Sequence, residues 1–242
     1  SQSSSKYILL IYSISILSVI YSKESYTFCS FGISNDQNLL FVPSNKVSTI
    51  DCVDLRSNQK CGSLEPKLKN ANELDRGLLM NLKVLDDKYL LAGYENGYLA
   101  IHDVRELKEV DSIKHFDAQP VMAFDCLNNV GFSGSSENKI VRFHLDPSDS
   151  MIEFRKQELN NDDSIEITNP GLNSIKIRPS DAKIFASGGW DSRLRIYSTK
   201  KLKLLAVLDF HKEAVNWIEF SKANLIACCS NDGLISVWNI NA

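Results

Sequence analysis

One short pattern recurs along this chain and constrains its fold more than any other feature. Residues 183–198, KIFASGGWDSRLRIYS, read as an apolar strand, a tight turn holding Trp190 and Asp191, and an alternating strand ending on Tyr197. Residues 225–239, LIACCSNDGLISVWN, repeat it, with Asn231 and Asp232 in the turn and Trp238 at the end. Earlier copies are LLAGYENGYLAIHD (90–103) with Asn96 and His102, and GFSGSSENKIVRFHL (131–145) with Asn138 and His144. A weaker copy, LLFVPSNKVSTID (39–51), carries Asn45 and Asp51, and a last trace, YILLIY, ends on Tyr12. With these end residues taken as equivalent, the successive spacings are 39, 51, 42, 53 and 41 residues. A period of about 40–45 residues with four strands per unit is that of a β-propeller blade, and the two longer intervals need only loop insertions. Leu194 and Ile196 alternating with Arg193 and Arg195 suit a strand buried on one face. Asn or Asp at the turn tolerates left-handed backbone.

The expected fold is therefore all-β, a single propeller domain spanning residues 1–242. Its blades are placed at 25–66, 77–115, 121–160, 172–210 and 215–242, with a partial one at 7–24. The apolar run 7–21, YILLIYSISILSVIY, is shorter than a membrane-spanning helix needs, is rich in β-branched residues and is interrupted by serines. It is predicted to be two strands, at 7–13 and 16–22. Residues 160–169 are polar and acidic and are predicted to form a loop. The last unit has three strands and the first trace has only its final pair, so the chain is expected to be the C-terminal part of a longer propeller, seven blades in the full protein.

A formal net charge of −3 argues against general binding to polyanions. Cys29, Cys52, Cys61, Cys126, Cys228 and Cys229 contain no CxxC pair and are expected to be reduced and mostly buried. No metal, cofactor or catalytic residue is expected. The four histidines fall at repeat positions, Gly131–Gly134 lacks the spacing of a nucleophile elbow, and Gly188-Gly189 lacks the Lys-Ser/Thr of a phosphate loop. Asp162, Asp163 and Glu166 lack the spacing of a calcium loop. Trp190, one residue before the turn aspartate, is either an exposed interface anchor on the blade's top rim or a residue packed on the neighbouring blade. Lys176, Arg178, Lys183, Arg193, Arg195, Lys200, Lys201 and Lys203 crowd one unit. They either meet an acidic partner or form an ordinary solvated face. No aromatic residues interleave with them in a single-strand-binding pattern, so nucleic acid is not an expected partner.

The units resemble WD repeats. His211, Asp232 and Trp238 match that family's hydrogen-bonded relay, and the resemblance implies Ser230 as its hydroxyl. It also implies that Glu95, Glu137, Asn173, Asn216 and Asn231 line the rim beside Trp190. Residues 168–220, TNPGLNSIKIRPSDAKIFASGGWDSRLRIYSTKKLKLLAVLDFHKEAVNWIEF, are similar to the ASTRA-associated protein 1 family, whose animal counterpart is the G-protein β-subunit-like protein 1. YTFCSF (26–31), LLAGYENGYLAIHDV (90–104) and PVMAFDC (120–126) extend the likeness. It implies a non-enzymatic scaffold in a nuclear assembly with chromatin-remodelling roles, whose partners include chaperone-type factors that mature phosphatidylinositol-3-kinase-related kinases. No membrane association is implied. The second expectation is a reader of a peptide or histone tail in the central mouth, which an acidic ring of Glu95 and Glu137 would favour.

Overall fold

The structure is a computed structural model that describes residues 27, 29–67, 76–148, 151–155 and 163–240. The strands placed at 7–13 and 16–22, with Tyr12, lie outside these residues. The described chain is all-β, in five antiparallel sheets that follow one another in sequence. The first holds β1 (Gly32–Ile33), β2 (Leu39–Pro43), β3 (Ile50–Asp54) and β4 (Gln59–Leu64). The second holds β5 (Leu79–Val84), β6 (Tyr89–Tyr94), β7 (Tyr98–Asp103) and β8 (Lys108–Lys114). The third holds β9 (Ala123–Leu127), β10 (Val130–Gly134), β11 (Lys139–Pro147), β12 (Ile152–Phe154) and β13 (Ser164–Glu166). The fourth holds β14 (Leu172–Ile177), β15 (Ile184–Gly189), β16 (Leu194–Ser198) and β17 (Leu204–Leu208), and the fifth β18 (Val215–Phe220), β19 (Leu225–Ser230) and β20 (Ile235–Asn239). Each sheet is a meander paired in chain order, which is the blade arrangement of a propeller.

The sheets pack face to face through their inner strands, with β5 beside β9, β9 beside β14 and β14 beside β18. Buried apolar residues fill each inter-blade layer. Phe132 of β10 stacks on Phe185 of β15 at 3.9 Å, and Phe185 stacks on Tyr197 at 5.0 Å. Close approach of the next blade explains two glycines: a Cβ on Gly134 would meet Leu172, and one on Gly188 would meet Val215, each at 2.6 Å. Polar side chains stitch the inner strands together. Ile177 N donates to Asp125 Oδ2 (2.7 Å), Ile218 N donates to Ser174 Oγ (3.1 Å), and Lys83 pairs with the other carboxylate oxygen of Asp125.

Three expectations need correction. Residues 160–169 are not simply a loop, because β13 pairs with β11 through Lys139–Glu166, Ile140–Ile165 and Val141–Ser164. The outer position of this blade is shared: β12 covers the far end of the long strand β11 and β13 the near end. Among the described residues, the first unit's opening strand, expected at 26–32, is Gly32–Ile33. Most consequential, the third copy is out of register by one residue. In the second, fourth and fifth sheets the end residue pairs with a residue twelve positions earlier: Leu90 with His102, Phe185 with Tyr197, Ile226 with Trp238. The third sheet's equivalent pair is Gly131 with Phe143. A one-residue slip moves a side chain to the opposite face of the strand. Phe143 is buried in the core and His144 lies half-buried outside it.

Candidate functional site

The last blade carries a hydrogen-bonded relay. Asp232, in the β19–β20 turn, accepts from the amides of Lys212 (3.0 Å) and Leu234 (3.0 Å), and its carboxylate lies 3.0 Å from His211 Nδ1. The backbone donors lead, with His211 adding to them, in holding Asp232 down to about 2. His211 Nε2 lies 2.9 Å from Ser236 Oγ, and Trp238 Nε1 donates to the same oxygen at 2.8 Å. The joining hydroxyl is thus Ser236 and not Ser230. Ser230 Oγ instead donates to Glu213 O (2.9 Å) and accepts from Asp232 N (3.3 Å). Facing the relay on β19 is Cys228, whose Sγ is 3.0 Å from Ser236 Oγ. Ser236 stands two residues before Trp238 and so shares its face, a signal legible in the sequence. Ser236→Ala strips partners from both His211 and Trp238 and is expected to cost about 1–3 kcal/mol. Ser230→Ala should cost less, and urea unfolding of the two variants checks the order.

The other blades secure the same place differently. In the fourth, Arg195 occupies the position of Ser236 and forms a two-pronged ion pair with the turn carboxylate of Asp191 (3.0 and 2.5 Å), which Asn169 also contacts at 2.8 Å. Burial works against the Asp191 charge, but Arg195 and Asn169 outweigh it and hold the carboxyl at about 2. In the third, His115 Nδ1 lies 2.8 Å from Ser133 Oγ, and its ring packs 5.5 Å from Phe143. In the second, Tyr94 Oη lies 3.0 Å from His102 Nε2.

These anchors lie in the last four blades, whose turns between the second and third strands form an upper face. On it, Trp190 Nε1 donates to Asn173 Oδ1 (2.6 Å). Asn173 Nδ2 donates to Asn216 Oδ1 (3.3 Å) and to Val215 O (3.2 Å), and Asn216 Nδ2 donates to Asn231 Oδ1 (2.5 Å). Four of the six expected rim residues therefore form one ladder that crosses two blades. Asn173 and Asn216 reach it because each sits at a β-bulge at the start of its inner strand. Met80, bulged in β5, and Met122, just before β9, occupy the matching places and complete the mouth with them. The mouth is a cavity of about 520 Å³, and among its described lining residues none is charged.

The structure leaves the two glutamates outside this ladder. Glu95 turns back on its own blade, accepting from Leu78 N at 3.0 Å. Glu137, by the corrected register, stands at the turn-acid position of Asp191 and Asp232. Its amide donates to Ser135 Oγ and its carbonyl accepts from Gly171 N. The acidic ring that would have favoured a peptide or histone-tail reader is not seen among the described residues of the mouth. Trp190 combines packing with exposure, since its ring lies over Gly171 of its own blade while 46% of the residue remains exposed. Gly171 is at φ +94°, and a Cβ there would sit 2.2 Å from the indole.

The pattern of the WD domain, G-beta repeat family matches residues 202–239. Guanine nucleotide-binding protein subunit beta-like protein 1 of Mus musculus is 37% identical over 153 residues, covering 62% of this chain and 44% of that protein. ASTRA-associated protein 1 of Schizosaccharomyces japonicus is 31% identical over 252 residues, covering 91% of this chain and 66% of that protein. The chain is a WD-repeat protein resembling ASTRA-associated protein 1. The Schizosaccharomyces pombe protein of the same name is 30% identical over 246 residues, covering 90% of this chain and 65% of its own length. The chain thus spans 44% to 66% of the length of these relatives. Among solved structures, a chain of the mitotic checkpoint complex crystal structure superposes with a TM-score of 0.68, covering 86% of this WD-repeat chain and 59% of its own. At 18% identity it attests the propeller fold alone.

Proposed function

We propose that this WD-repeat protein is a non-enzymatic scaffold subunit of an ASTRA-like nuclear assembly, serving chromatin remodelling and the maturation of phosphatidylinositol-3-kinase-related kinases through protein–protein contacts. The observation that carries the reading is the upper rim. A half-exposed Trp190 is held at a fixed angle by the Asn173–Asn216–Asn231 ladder on blades whose turns are pinned by buried polar anchors. A large ring fixed before contact offers apolar area to a partner at little entropic cost. The names of the relatives support partners among the subunits of an ASTRA-like assembly; that these include chaperone-type maturation factors and meet the rim is part of the proposal. The uncharged mouth gives no matching support to a reader of basic tails.

Purification from native cells through a C-terminal tag, with identification of what accompanies the protein, tests the proposal. Kinase-maturation and remodelling subunits are expected, together with a nuclear location by imaging. Trp190→Ala should reduce their recovery by about tenfold or more, as loss of an interface anchor worth about 2 kcal/mol does. Recovery of the protein alone, or unaltered recovery by the variant, would overturn the scaffold role or the rim respectively.

A further inference from the structure

A second pocket opens on the opposite, lower face. It is a cavity of about 310 Å³ between the third and fourth blades, with apolar walls from Leu127, Val130, Phe132, Ile177 and Ala182. It lies at the other end of β16 from Trp190, because the β15–β16 turn carries Trp190 and the β16–β17 turn supplies the pocket's Thr199 and Lys200. The cavity holds a single leucine, methionine or phenylalanine side chain and is too small for a folded element. His144 and Arg142 stand at its edge. Arg142 is engaged by Asp163 at 2.5 Å, and burial, followed by the charges of Arg142 and Arg155, lowers the His144 pKa.

The lysines beside the pocket belong to the β16–β17 hairpin. The structure divides the basic cluster of the fourth blade into two sets. Lys176 pairs with Glu219 (3.2 Å), Arg178 with Asp181 (2.8 Å), Arg195 and Arg193 with Asp191 (2.5 and 3.9 Å), and Lys183 reaches Asp181 at 4.0 Å. Lys200, Lys201 and Lys203 are exposed and have no ion pair among the described residues. Leu202, between them, packs down on the core and holds the turn against the pocket. A slot with apolar walls, Lys200 in its lining and Lys201 and Lys203 on the same turn, none of them ion-paired among the described residues, is complementary to an apolar side chain flanked by carboxylates.

We propose that this inter-blade pocket is a second docking site, taking an acidic linear segment of a partner protein that inserts one large apolar side chain. The site deepens the scaffold reading and rests on it: two faces at opposite ends of the blades let the protein hold two partners at once. Nothing in the rim ladder takes part, so the two sites are separable by mutation.

The test is fluorescence anisotropy of a labelled synthetic peptide, one phenylalanine within a run of aspartates and glutamates, titrated with the intact chain. Binding is expected at low ionic strength and should weaken as salt is raised. Replacing the peptide's phenylalanine by alanine should weaken it by about tenfold or more, the equivalent of losing one buried aromatic side chain. The charge-reversed protein K200E/K201E/K203E, altered only at exposed positions, should lose binding while keeping its circular dichroism and urea midpoint. Val130→Phe, which fills the slot without touching the lysines, should lose the preference for phenylalanine over alanine. No binding of the peptide, equal binding of its alanine version, or equally tight binding of a single-stranded oligonucleotide would each overturn the proposal. Trp190→Ala should leave peptide binding unchanged, so failure of the pocket and failure of the rim are read in different experiments.

Discussion

Acidification from pH 6.5 towards about 3 is expected to strip stability from this protein steeply, and the loss should begin well above the pH at which most of its carboxylates titrate. His102 is fully buried, with Nε2 beside Tyr94 Oη and Nδ1 without a hydrogen-bond partner among the described residues. His115 is buried against Phe143 and Phe154, with Nδ1 on Ser133 and Nε2 likewise without a partner. Burial, assisted by the Arg76 guanidinium near His102 and by Lys139 near His115, lowers each from 6.5 to about 3. A histidine whose folded pKa lies below its unfolded one binds more protons when unfolded, so stability falls as pH drops through that window. Each group contributes about 1.4 kcal/mol per pH unit, and the two together up to about 2.7. Urea unfolding across the window reads the slope directly. His115→Gln should halve it whatever that variant does to stability at neutral pH. A flat profile just below pH 6.5 would show that these imidazoles are not held neutral by burial.

Removing Arg76 is expected to produce the largest loss of stability from a single substitution away from the hydrophobic core. Its side chain and that of Glu109 are each 2% exposed, with Nη2 2.8 Å from the carboxylate and 2.9 Å from Ser112 Oγ. The guanidinium also lies 4.0 Å over the ring of Tyr98. Arg76→Met keeps much of the volume and leaves the Glu109 charge in a dry site, which costs about 3–5 kcal/mol. Arg76→Met combined with Glu109→Leu should be less destabilised than Arg76→Met alone, since both charges then leave together. A double-mutant cycle by urea unfolding measures the difference. A cost under about 1 kcal/mol for Arg76→Met would mean that the pair is effectively solvated, as surface pairs are.

Particular residues show how far the sequence could be read. The strand–turn–strand units were legible because each is local: apolar alternation, a turn Asn or Asp, and a fixed return distance. The resemblance to WD repeats implied a relay of His211, Asp232 and Trp238, and in the structure hydrogen bonds link them through Ser236. Their hydroxyl was misassigned because Ser230 and Ser236 are both short polar residues near the turn. The two-residue spacing of Ser236 from Trp238 marked the shared face, and the pairing of Cys228 with Ser236 across the strands sets that hydroxyl against His211. His144 was placed at the aromatic position because its neighbour Phe143 fits the pattern equally well, and the same slip put Glu137 on the rim. The bulges that bring Asn173 and Asn216 to the mouth leave no distinct mark in a single strand.

The sequence by itself determined the repeat, the all-β class and the positions of the turns, since these depend on side-chain alternation and backbone preference within a few residues. Tertiary structure alone decided which neighbour faces inward, how the bulged asparagines meet across two blades, and which lysines of a crowded blade have no ion pair among the described residues. Each of those outcomes is set by a partner on another strand or another blade. Lys176 stands in a strand and Lys200 in a turn, and neither setting names a partner; Glu219 lies opposite one, and among the described residues no carboxylate pairs with the other. Strand periodicity repeats every two residues and carries no information about which distant residue will stand across from it.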